Sequence, residues 1–402
     1  MNFEDSAAEA AYRKQVSAWL AEHAPAWSTA GARRDSEAEI VRLARGWQAC
    51  KAAAGYVGIT WPCEVGGQGG NAIQQVIFSQ EEARHRVATM PFQVGMGMCI
   101  PTVYSFASHA VAQRYVGPAM RGEEIWCQLF SEPAAGSDLA GIRTRALRDG
   151  DRWIVNGQKV WTSWAHHSDY GLLLVRSDAG LPKHKGLTMF YVDMRAPGVD
   201  VRQIRGMTGE TDFNEVFFTD VVIPDSQRLG DVGQGWKVAM TTLMHERFAI
   251  GRPADAPSVD ELVALARSVR SSEQTLLDNA AVREAIAGFY VRDAGLDFIR
   301  MRVQTSLSKG RAPGPEASVL KLVMAKTRQD IGAFAMDLLE SGAIRDTDST
   351  PLDGFRYYQL FAPGLRIAGG TDEILRNIIA ERVLGLPPDL RVDRDLPFNA
   401  LK

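Results

Sequence analysis

The sequence has few cysteines, and none of them lies in a pattern that would give it a role. Cys50, Cys63, Cys99 and Cys127 are far apart and form no Cys-x-x-Cys pair. Because disulfide frameworks and zinc sites show characteristic cysteine spacings, we expect four buried thiols in a reducing compartment.

Long apolar runs and a surplus of one charge are also absent. No run approaches the roughly 18 residues that a membrane-spanning helix needs. The formal net charge is -3 over 402 residues, which argues against the basic face of a nucleic-acid-binding protein. The first residues are acidic where a signal or transit peptide would be basic. We therefore expect a cytoplasmic protein.

Motifs for metal binding and for hydrolysis are missing as well. The chain contains no His-Glu-x-x-His sequence and no Gly-x-Ser-x-Gly elbow. His166 and His167 are adjacent, and on a strand neighbouring side chains point to opposite faces. We therefore expect no metal site.

The spacing of the apolar residues changes twice along the chain. It is helical, with intervals of three and four, at the two ends of the sequence. Between them, short apolar runs separated by turn residues predict strands, and Asn156-Gly157 predicts a hairpin turn. We expect a multi-domain α+β protein with a helical domain at 1–125, a β-barrel or β-sandwich domain at 126–232 and a helical bundle at 233–402.

Three segments resemble the active-site motifs of one enzyme family. Residues 131–139 read Ser-Glu-Pro-Ala-Ala-Gly-Ser-Asp-Leu, residues 161–163 read Trp-Thr-Ser, and residues 367–377 read Ile-Ala-Gly-Gly-Thr-Asp-Glu-Ile-Leu-Arg-Asn. The small residues and free amides of the first segment suit the polar edge of a flavin ring. With the helical, β, helical order, these segments resemble the acyl-CoA dehydrogenase family over nearly the whole chain.

The resemblance implies FAD as the cofactor and assigns residues to it. The backbone near Leu129 and the Ser131 hydroxyl would face the flavin, Trp161 would cover one side of the ring, and Ser163 would reach the reactive N5 region. Ser137 would lie near the pantetheine arm of the substrate. Taken alone, Trp161 would instead be predicted to be a core aromatic residue.

The base departs from the best-known branch of the family, in which a glutamate precedes the Gly-Thr pair. That position is Gly369 here. Abstraction of a proton next to a thioester needs a carboxylate whose pKa is raised by a dry site. Glu246 resembles the base of a second branch, where the glutamate stands on an upstream helix, and Arg247 beside it is grouped with the substrate-binding residues. Gly369 keeps the N–H that would bond the thioester oxygen.

A plainer interpretation makes Glu246 and Arg247 a surface ion pair, which is the usual fate of such residues. The neighbouring residues are mostly apolar, and this favours a role for the two charges. We therefore expect Glu246 to be the base.

The remaining cofactor contacts depend on weaker matches. Thr371 and Glu373 resemble FAD-binding residues that follow the glycine pair, and Arg267 is a basic candidate for the pyrophosphate. The family's Arg-x-x-Phe-Gly and Gln-x-x-Gly-Gly-x-Gly elements are not intact, and an acidic stretch at 337–342 stands in place of the second. This departure concerns the half of the FAD site that lies between subunits.

The resemblance therefore implies an FAD-dependent acyl-CoA dehydrogenase of lipid metabolism and β-oxidation. It would form a trans-2-enoyl-CoA by hydride transfer to flavin N5, with electron transfer flavoprotein as the acceptor. We expect a homotetramer, or a heterotetramer with a related chain, and a branched, bulky or long acyl group. Two alternatives are a flavin-poor, non-catalytic subunit of a heteromeric dehydrogenase and an oxygen-using oxidase or monooxygenase on the same fold.

Overall fold

The structure is a computed structural model that describes residues 5–29, 37–249, 256–271, 273–309, 314–315, 318–340, 350–390 and 393–401. The chain folds into two compact units. One consists of Ser6–Ala249 with Asp389–Lys402, and the other of Ile250–Pro388 with Met1–Asp5. None of the helices in the described part of the chain is long and apolar enough to span a membrane.

The first compact unit begins with helices, as the sequence predicts. Side chains fix where some of them start: Ser6 and Glu9 form a capping box in which the Ser6 hydroxyl accepts from the Glu9 N–H, and Asn71 and Gln74 do the same. Each box satisfies amide groups that would otherwise lack partners at a helix start. The helices are α1 (Ala7–His23), α2 (Glu37–Ala53), α3 (Ala72–Glu82), α4 (Met90–Val94), α5 (Ile100–Phe106) and α6 (His109–Met120).

A mixed sheet follows, and it confirms the predicted change of period. Its spatial order is β6-β7-β3-β2-β4-β5-β8, and β1 pairs with β4 in parallel. The strands are β1 (Trp126–Leu129), β2 (Arg145–Asp149), β3 (Arg152–Ser163), β4 (Tyr170–Arg176), β5 (Leu187–Asp193), β6 (Val199–Ile204), β7 (Phe213–Pro224) and β8 (Arg228–Leu229).

Strand β4 is buried on both faces, and its residues alternate between two cores. Leu172 and Leu174 pack in a cluster that includes residues of α5 and α6, whereas Leu173 and Val175 pack with residues of β3 and β7. Successive side chains of a strand point to opposite faces. The sheet therefore lies between the helical layer and a second apolar cluster.

The predicted hairpin turn at Asn156-Gly157 is wrong. These residues lie within the continuous strand β3, and the chain reverses instead around Gly150, which has φ +64°. The strand is irregular between Val155 and Gly157, and a Cβ on Gly157 would lie 2.6 Å from the Thr144 Cα. Glycine is needed there for a close approach of two strands, and the Asn156 side chain bonds Asp220 across the sheet at 2.9 Å.

The helical period returns at residue 235, as predicted. Helix α7 (Gly235–Ala249) belongs to the first compact unit. The second unit holds a short ribbon of β9 (Arg270–Ser271) and β10 (Gln274–Thr275), and the remaining helices. These helices are α8 (Val259–Ser268), α9 (Ala280–Ser308), α10 (Ser318–Leu339), α11 (Thr350–Leu365) and α12 (Asp372–Arg382). The predicted domain boundaries near 125 and 232 stay a prediction.

Candidate active site

The segment after β1 is bonded to the middle of β3. Leu129 ends β1 and is fully buried. The half-buried Ser131 follows, and its carbonyl accepts a hydrogen bond from the Val160 N–H at 2.9 Å. Two stretches that are 30 residues apart in sequence are thereby joined. Predicted flavin residues of the first motif thus lie beside those of the second.

A buried ion pair beneath this junction fixes its geometry. The Lys159 ammonium is fully buried and donates to the Glu132 carboxylate at 2.8 Å and to the Phe130 carbonyl at 2.9 Å. Glu132 also accepts from the Arg143 and Thr144 amides at 2.6 and 2.9 Å. Burial lowers the pKa of Lys159 to about 8, and it would raise the pKa of Glu132, yet Lys159 holds that carboxyl below its ordinary pKa. The sequence analysis gave this pair no role.

Trp161 is exposed, so the prediction that it packs in the core when taken alone is wrong. Its indole is 60% exposed, and its φ is +59°. The pairing of β3 with β7 is irregular between Lys159 and Thr162, which turns Trp161 away from the sheet. A bulky residue at positive φ stores strain of about 1–3 kcal/mol and is common where a ligand is held.

The surface around Trp161 fits a flavin. Ser163 is half-buried and follows the indole by two residues, and the Ser131 segment is bonded to Val160 beside it. The buried Thr162 hydroxyl has no hydrogen-bond partner among the described residues. An exposed flat ring with hydroxyls on the adjoining backbone suits a planar heteroaromatic cofactor whose edge carries hydrogen-bonding groups.

Helix α7, which carries Glu246, is anchored to the sheet and to a neighbouring helix. A Cβ on Gly235 would lie 2.6 Å from the backbone of Leu187 in β5, so the first turn packs directly on the strand. Farther along, the buried Thr242 hydroxyl bonds the Thr102 hydroxyl of α5 at 3.0 Å. Position 246 follows one helical turn later. The side chains of Glu246 and Arg247 lie outside the described residues.

Gly369 and Thr371 belong to the second compact unit, at the start of α12. Gly369 and Gly370 have φ values of +64° and +91°, and Thr371 caps the helix by accepting from the Ile374 N–H at 3.3 Å. Lys321 donates to the Gly370 carbonyl at 2.5 Å. Among the described residues, no hydrogen-bond acceptor faces the Gly369 N–H. A rigid loop with a free amide is what an oxyanion donor requires.

The structure places the other predicted residues at the surface. Ser137 is exposed in the loop before Leu139, and Arg267 is exposed in the last turn of α8. Glu373 is exposed and lies 3.8 Å from Arg376. The part of the acidic stretch beyond residue 340 lies outside the described residues. Of the predicted set, the structure brings together Leu129, Ser131, Trp161 and Ser163.

Two further expectations need correction. Cys99 and Cys127 are buried, and burial raises the pKa of the Cys127 thiol to about 12. Cys63, however, is exposed in a glycine-rich loop, and Cys50 is only half-buried. His166 and His167 do not lie on a strand but on the 3₁₀ turn Ala165–His167, so both rings can face the same side.

Family models match three successive parts of the chain. The model described as "Acyl-CoA dehydrogenase, N-terminal domain" matches residues 6–123. The middle-domain model matches residues 127–221 and the C-terminal-domain model residues 233–384.

Curated relatives carry the same family name. The chain is 36% identical to the acyl-CoA dehydrogenase IpdE1 of Mycobacterium tuberculosis over 389 residues, which cover 94% of this chain and 98% of that protein. It is 37% identical to the acyl-CoA dehydrogenase FadE34 of the same organism over 85% of this chain. The chain spans about half the length of FadE34, because the match covers 46% of that protein.

Two solved structures share the fold over nearly their full length. The structure titled "Tcur3481-Tcur3483 steroid ACAD" matches with a TM-score of 0.82 and 26% identity, over 97% of this chain and 100% of that one. The ChsE4-ChsE5 complex from Mycobacterium tuberculosis matches with a TM-score of 0.82 and 27% identity over the same shares. Both titles name two chains.

Proposed function

Because this chain belongs to the acyl-CoA dehydrogenase family and is an FAD-dependent oxidoreductase, we propose that it dehydrogenates an acyl-CoA thioester with Glu246 as the base. The surface of Ser131, Trp161 and Ser163 is the observation that carries this proposal. It supplies a flat, partly exposed wall where the family motifs expect the flavin. The product would be a trans-2-enoyl-CoA.

The base would act from a helix that is held in place. Gly235 packs the first turn of α7 onto β5, and Thr242 bonds α5 one turn before Glu246. A carboxylate on such a helix keeps its position while it takes the proton from carbon α. Since a general base contributes about 10²- to 10⁴-fold to a rate, its loss should be readily measurable.

The Gly369 N–H would stabilise the negative charge that develops on the thioester oxygen. This amide has no acceptor among the described residues, and the loop around it is fixed by Lys321 and by the Thr371 cap. A donor that is already oriented stabilises charge without reorganisation. Gly369 is therefore assigned to the oxyanion and not to proton transfer.

Residues of the β domain would hold the cofactor. Ser131 and Ser163 would bond the polar edge of the ring, Trp161 would cover one side of it and exclude water, and the backbone near Leu129 would line it. Thr371, Glu373 and Arg267 are the candidates for the rest of the FAD molecule. When bound, FAD supplies the acceptor for the hydride that leaves carbon β, and we propose electron transfer flavoprotein as its oxidant.

We propose a bulky, polycyclic acyl group as the substrate. A relative with 26% identity over nearly the whole chain is titled a steroid acyl-CoA dehydrogenase. Gly369 also leaves out a side chain where the best-known branch carries a glutamate, which leaves room beside carbon α. Straight medium chains should be poorer substrates.

We also propose a related chain as the partner in a heterotetramer. The two structural relatives named above are complexes of two chains. Helix α9 exposes Tyr290, Val291 and Phe298 by 64, 68 and 57%, and their spacing places them along one face. Large apolar side chains grouped in this way mark an interface. A partner chain could also supply the pyrophosphate contacts that this sequence lacks.

An anaerobic titration tests the proposal. The purified protein, with any chain that copurifies, would be titrated with straight, branched and steroid-derived acyl-CoA thioesters while the visible flavin band is followed. Bleaching by the polycyclic thioesters is the expected result. Glu246→Gln should keep the flavin band but bleach at least about 10²-fold more slowly, whereas Glu284→Gln, on the exposed surface of α9, should behave like the parent protein.

Other results would favour the alternatives. A protein with no flavin band, alone or with a copurifying chain, would indicate a non-catalytic subunit. Rapid reoxidation in air without an acceptor protein would indicate an oxygen-using flavoprotein. Normal bleaching by Glu246→Gln would refute the assignment of the base.

A further inference from the structure

Three potential metal ligands from distant parts of the sequence converge beside the sheet of the first compact unit. Glu37 is the first residue of α2, and His166 and His167 follow β3 on the 3₁₀ turn. The Glu37 Oε2 atom lies 2.9 Å from His166 Nε2 and 3.6 Å from His167 Nε2. The ligand atoms of the three side chains all lie within 4.8 Å of one another.

The hydrogen bonds of Asn214 fix the tautomer of His166. Its amide nitrogen donates to the Thr162 and Asp212 carbonyls at 2.9 and 3.2 Å, so its oxygen is the atom that lies 3.0 Å from His166 Nδ1. An amide oxygen only accepts, and His166 Nδ1 must therefore carry a hydrogen. In a neutral ring, the Nε2 atom that faces the Glu37 carboxylate is then a lone pair.

Two electron pairs facing each other at 2.9 Å require a cation between them. A proton on His166 Nε2 would satisfy this one contact and give an ordinary ion pair. It would not explain His167, whose Nε2 atom is buried, points at the same carboxylate oxygen from 3.6 Å and has no hydrogen-bond partner in the described part of the chain. A metal ion would engage all three atoms at once.

The surroundings of the ligands resemble the outer shell of a metal site. His166 donates its other ring nitrogen to a carbonyl-type oxygen, as metal-bound histidines usually do. The Thr211 hydroxyl bonds Glu37 Oε1, and the Gln203 amide donates to Glu37 Oε2 at 3.3 Å. These contacts orient the carboxylate toward the two rings.

The charges nearby are nearly balanced. The Asp212 carboxyl interacts with Glu37 and His166, and Arg45 faces His167. A dication is therefore not opposed by a net positive field from these residues.

We propose that Glu37, His166 and His167 bind a divalent transition-metal ion of the zinc class. Two imidazole nitrogens with one carboxylate favour zinc over magnesium or calcium, which prefer oxygen ligands. Three protein ligands leave the fourth position of a tetrahedral ion to water. Binding displaces any proton held between His166 and Glu37, and it forms coordinate bonds without a redox step.

The bound ion would tie α2 to the end of β3. Residues 37 and 166 are 129 positions apart in the chain, and the ion would link the helical layer directly to the sheet. Ser163, a proposed flavin contact, lies three residues before His166. The metal would therefore stabilise the backbone that carries part of the cofactor site, without taking part in the proposed reaction.

Zinc binding to the flavin-loaded protein tests the proposal. After chelator treatment and exchange into metal-free buffer, the protein would compete with a chromophoric chelator for Zn²⁺. We expect one ion per chain and a rise of several degrees in the midpoint of thermal unfolding when Zn²⁺ is added. His167→Gln should weaken zinc binding at least tenfold and abolish the rise. The same variant should not lower the unfolding midpoint without metal, because His167 Nε2 has no hydrogen bond to lose.

His109→Gln is the matched control, because His109 is exposed at the start of α6, and it should bind zinc like the parent protein. Glu37→Gln is a second, independent variant that should weaken binding if His167→Gln does not fold. Zinc binding that is unchanged in both Glu37→Gln and His167→Gln, or no binding by the parent protein, would overturn the proposal. Since the readouts are metal affinity and thermal stability, a failure here leaves the dehydrogenase proposal untouched.

Discussion

Replacing Lys159 with methionine should destabilise the first compact unit strongly. The ammonium is fully buried, and it is the cation that compensates the Glu132 carboxylate at 2.8 Å. Methionine would fill a similar volume, so the cavity term should be small. The carboxylate would keep the amides of Arg143 and Thr144 but would lose its counter-charge. Breaking a buried pair in this way costs about 3–5 kcal/mol.

The same strand provides a control. Arg152, at the other end of β3, lies 2.7 Å from Asp149, and both side chains are about half exposed. Exposed pairs contribute at most about 1 kcal/mol. Arg152→Met should therefore lower the free energy of unfolding by less than that, although it also removes one cation from an ion pair on β3.

Urea unfolding, followed by far-UV circular dichroism and tryptophan fluorescence, measures the difference. A double variant separates charge from packing: Lys159→Met with Glu132→Gln removes both charges while the glutamine oxygen can still accept from an amide. We expect the double variant to recover at least about 1 kcal/mol relative to Lys159→Met, as coupled neighbours do. If Lys159→Met and Arg152→Met cost the same, or if the double variant recovers nothing, the reasoning is wrong.

The Lys159 variant should also release the cofactor more readily. Lys159 bonds the Phe130 carbonyl directly, and Phe130 lies between the two proposed flavin contacts Leu129 and Ser131. Flavin retained after gel filtration should therefore fall for Lys159→Met and not for Arg152→Met. Equal retention would mean that the ion pair stabilises the sheet without positioning the flavin segment.

Further predictions concern two glycines and one carboxylate. Gly235→Ala should cost about 1–3 kcal/mol, since its Cβ would lie 2.6 Å from the backbone of β5, and it should slow dehydrogenation if α7 carries the base; normal stability would refute the packing argument. Gly288→Ala, on an exposed part of α9 with nothing within 4 Å of the new Cβ, should gain about 0.5–1 kcal/mol in urea unfolding. Hydrogen bonds from Arg228 and Trp153 lower the pKa of Asp225 to about 2. Because a depressed carboxyl pKa favours the folded state above the ordinary value, this contribution is complete above about pH 4 and is lost as pH falls toward 2, and Asp225→Asn should reduce the pH dependence of thermal unfolding in that window.

The strands were predictable because burial on both faces leaves continuous apolar runs between turn residues. The predicted run 199–204 coincides with β6, and β4 and β5 extend the other runs by one or two residues. The hairpin failed because Asn-Gly is only a local signal. At Asn156-Gly157 the glycine meets the close approach of β2, and the asparagine bonds Asp220, so contacts across the sheet override the turn preference.

The parts of the site that sequence reasoning missed all depend on distant partners. Lys159 lies in β3 and Glu132 in a loop 27 residues away, and a lysine between apolar strand residues was the available signal. Glu37 and His166 are still farther apart, and no local pattern links them. Trp161 reached the surface through an irregularity in strand pairing, which the sequence does not encode in any short motif.

The placement of the base and the oxyanion donor on different elements has a physical consequence. At Gly369 the backbone has φ +64°, where an L-residue pays about 1–2 kcal/mol. A glutamate at this position would have to carry that strain and direct its N–H at the thioester at the same time. With the base on α7, the first turn and Thr242 fix the helix by packing, while Gly369 and Gly370 adopt the loop geometry that presents the amide without a side-chain penalty. The two requirements are then met independently, and the volume next to carbon α becomes available to a bulkier substrate.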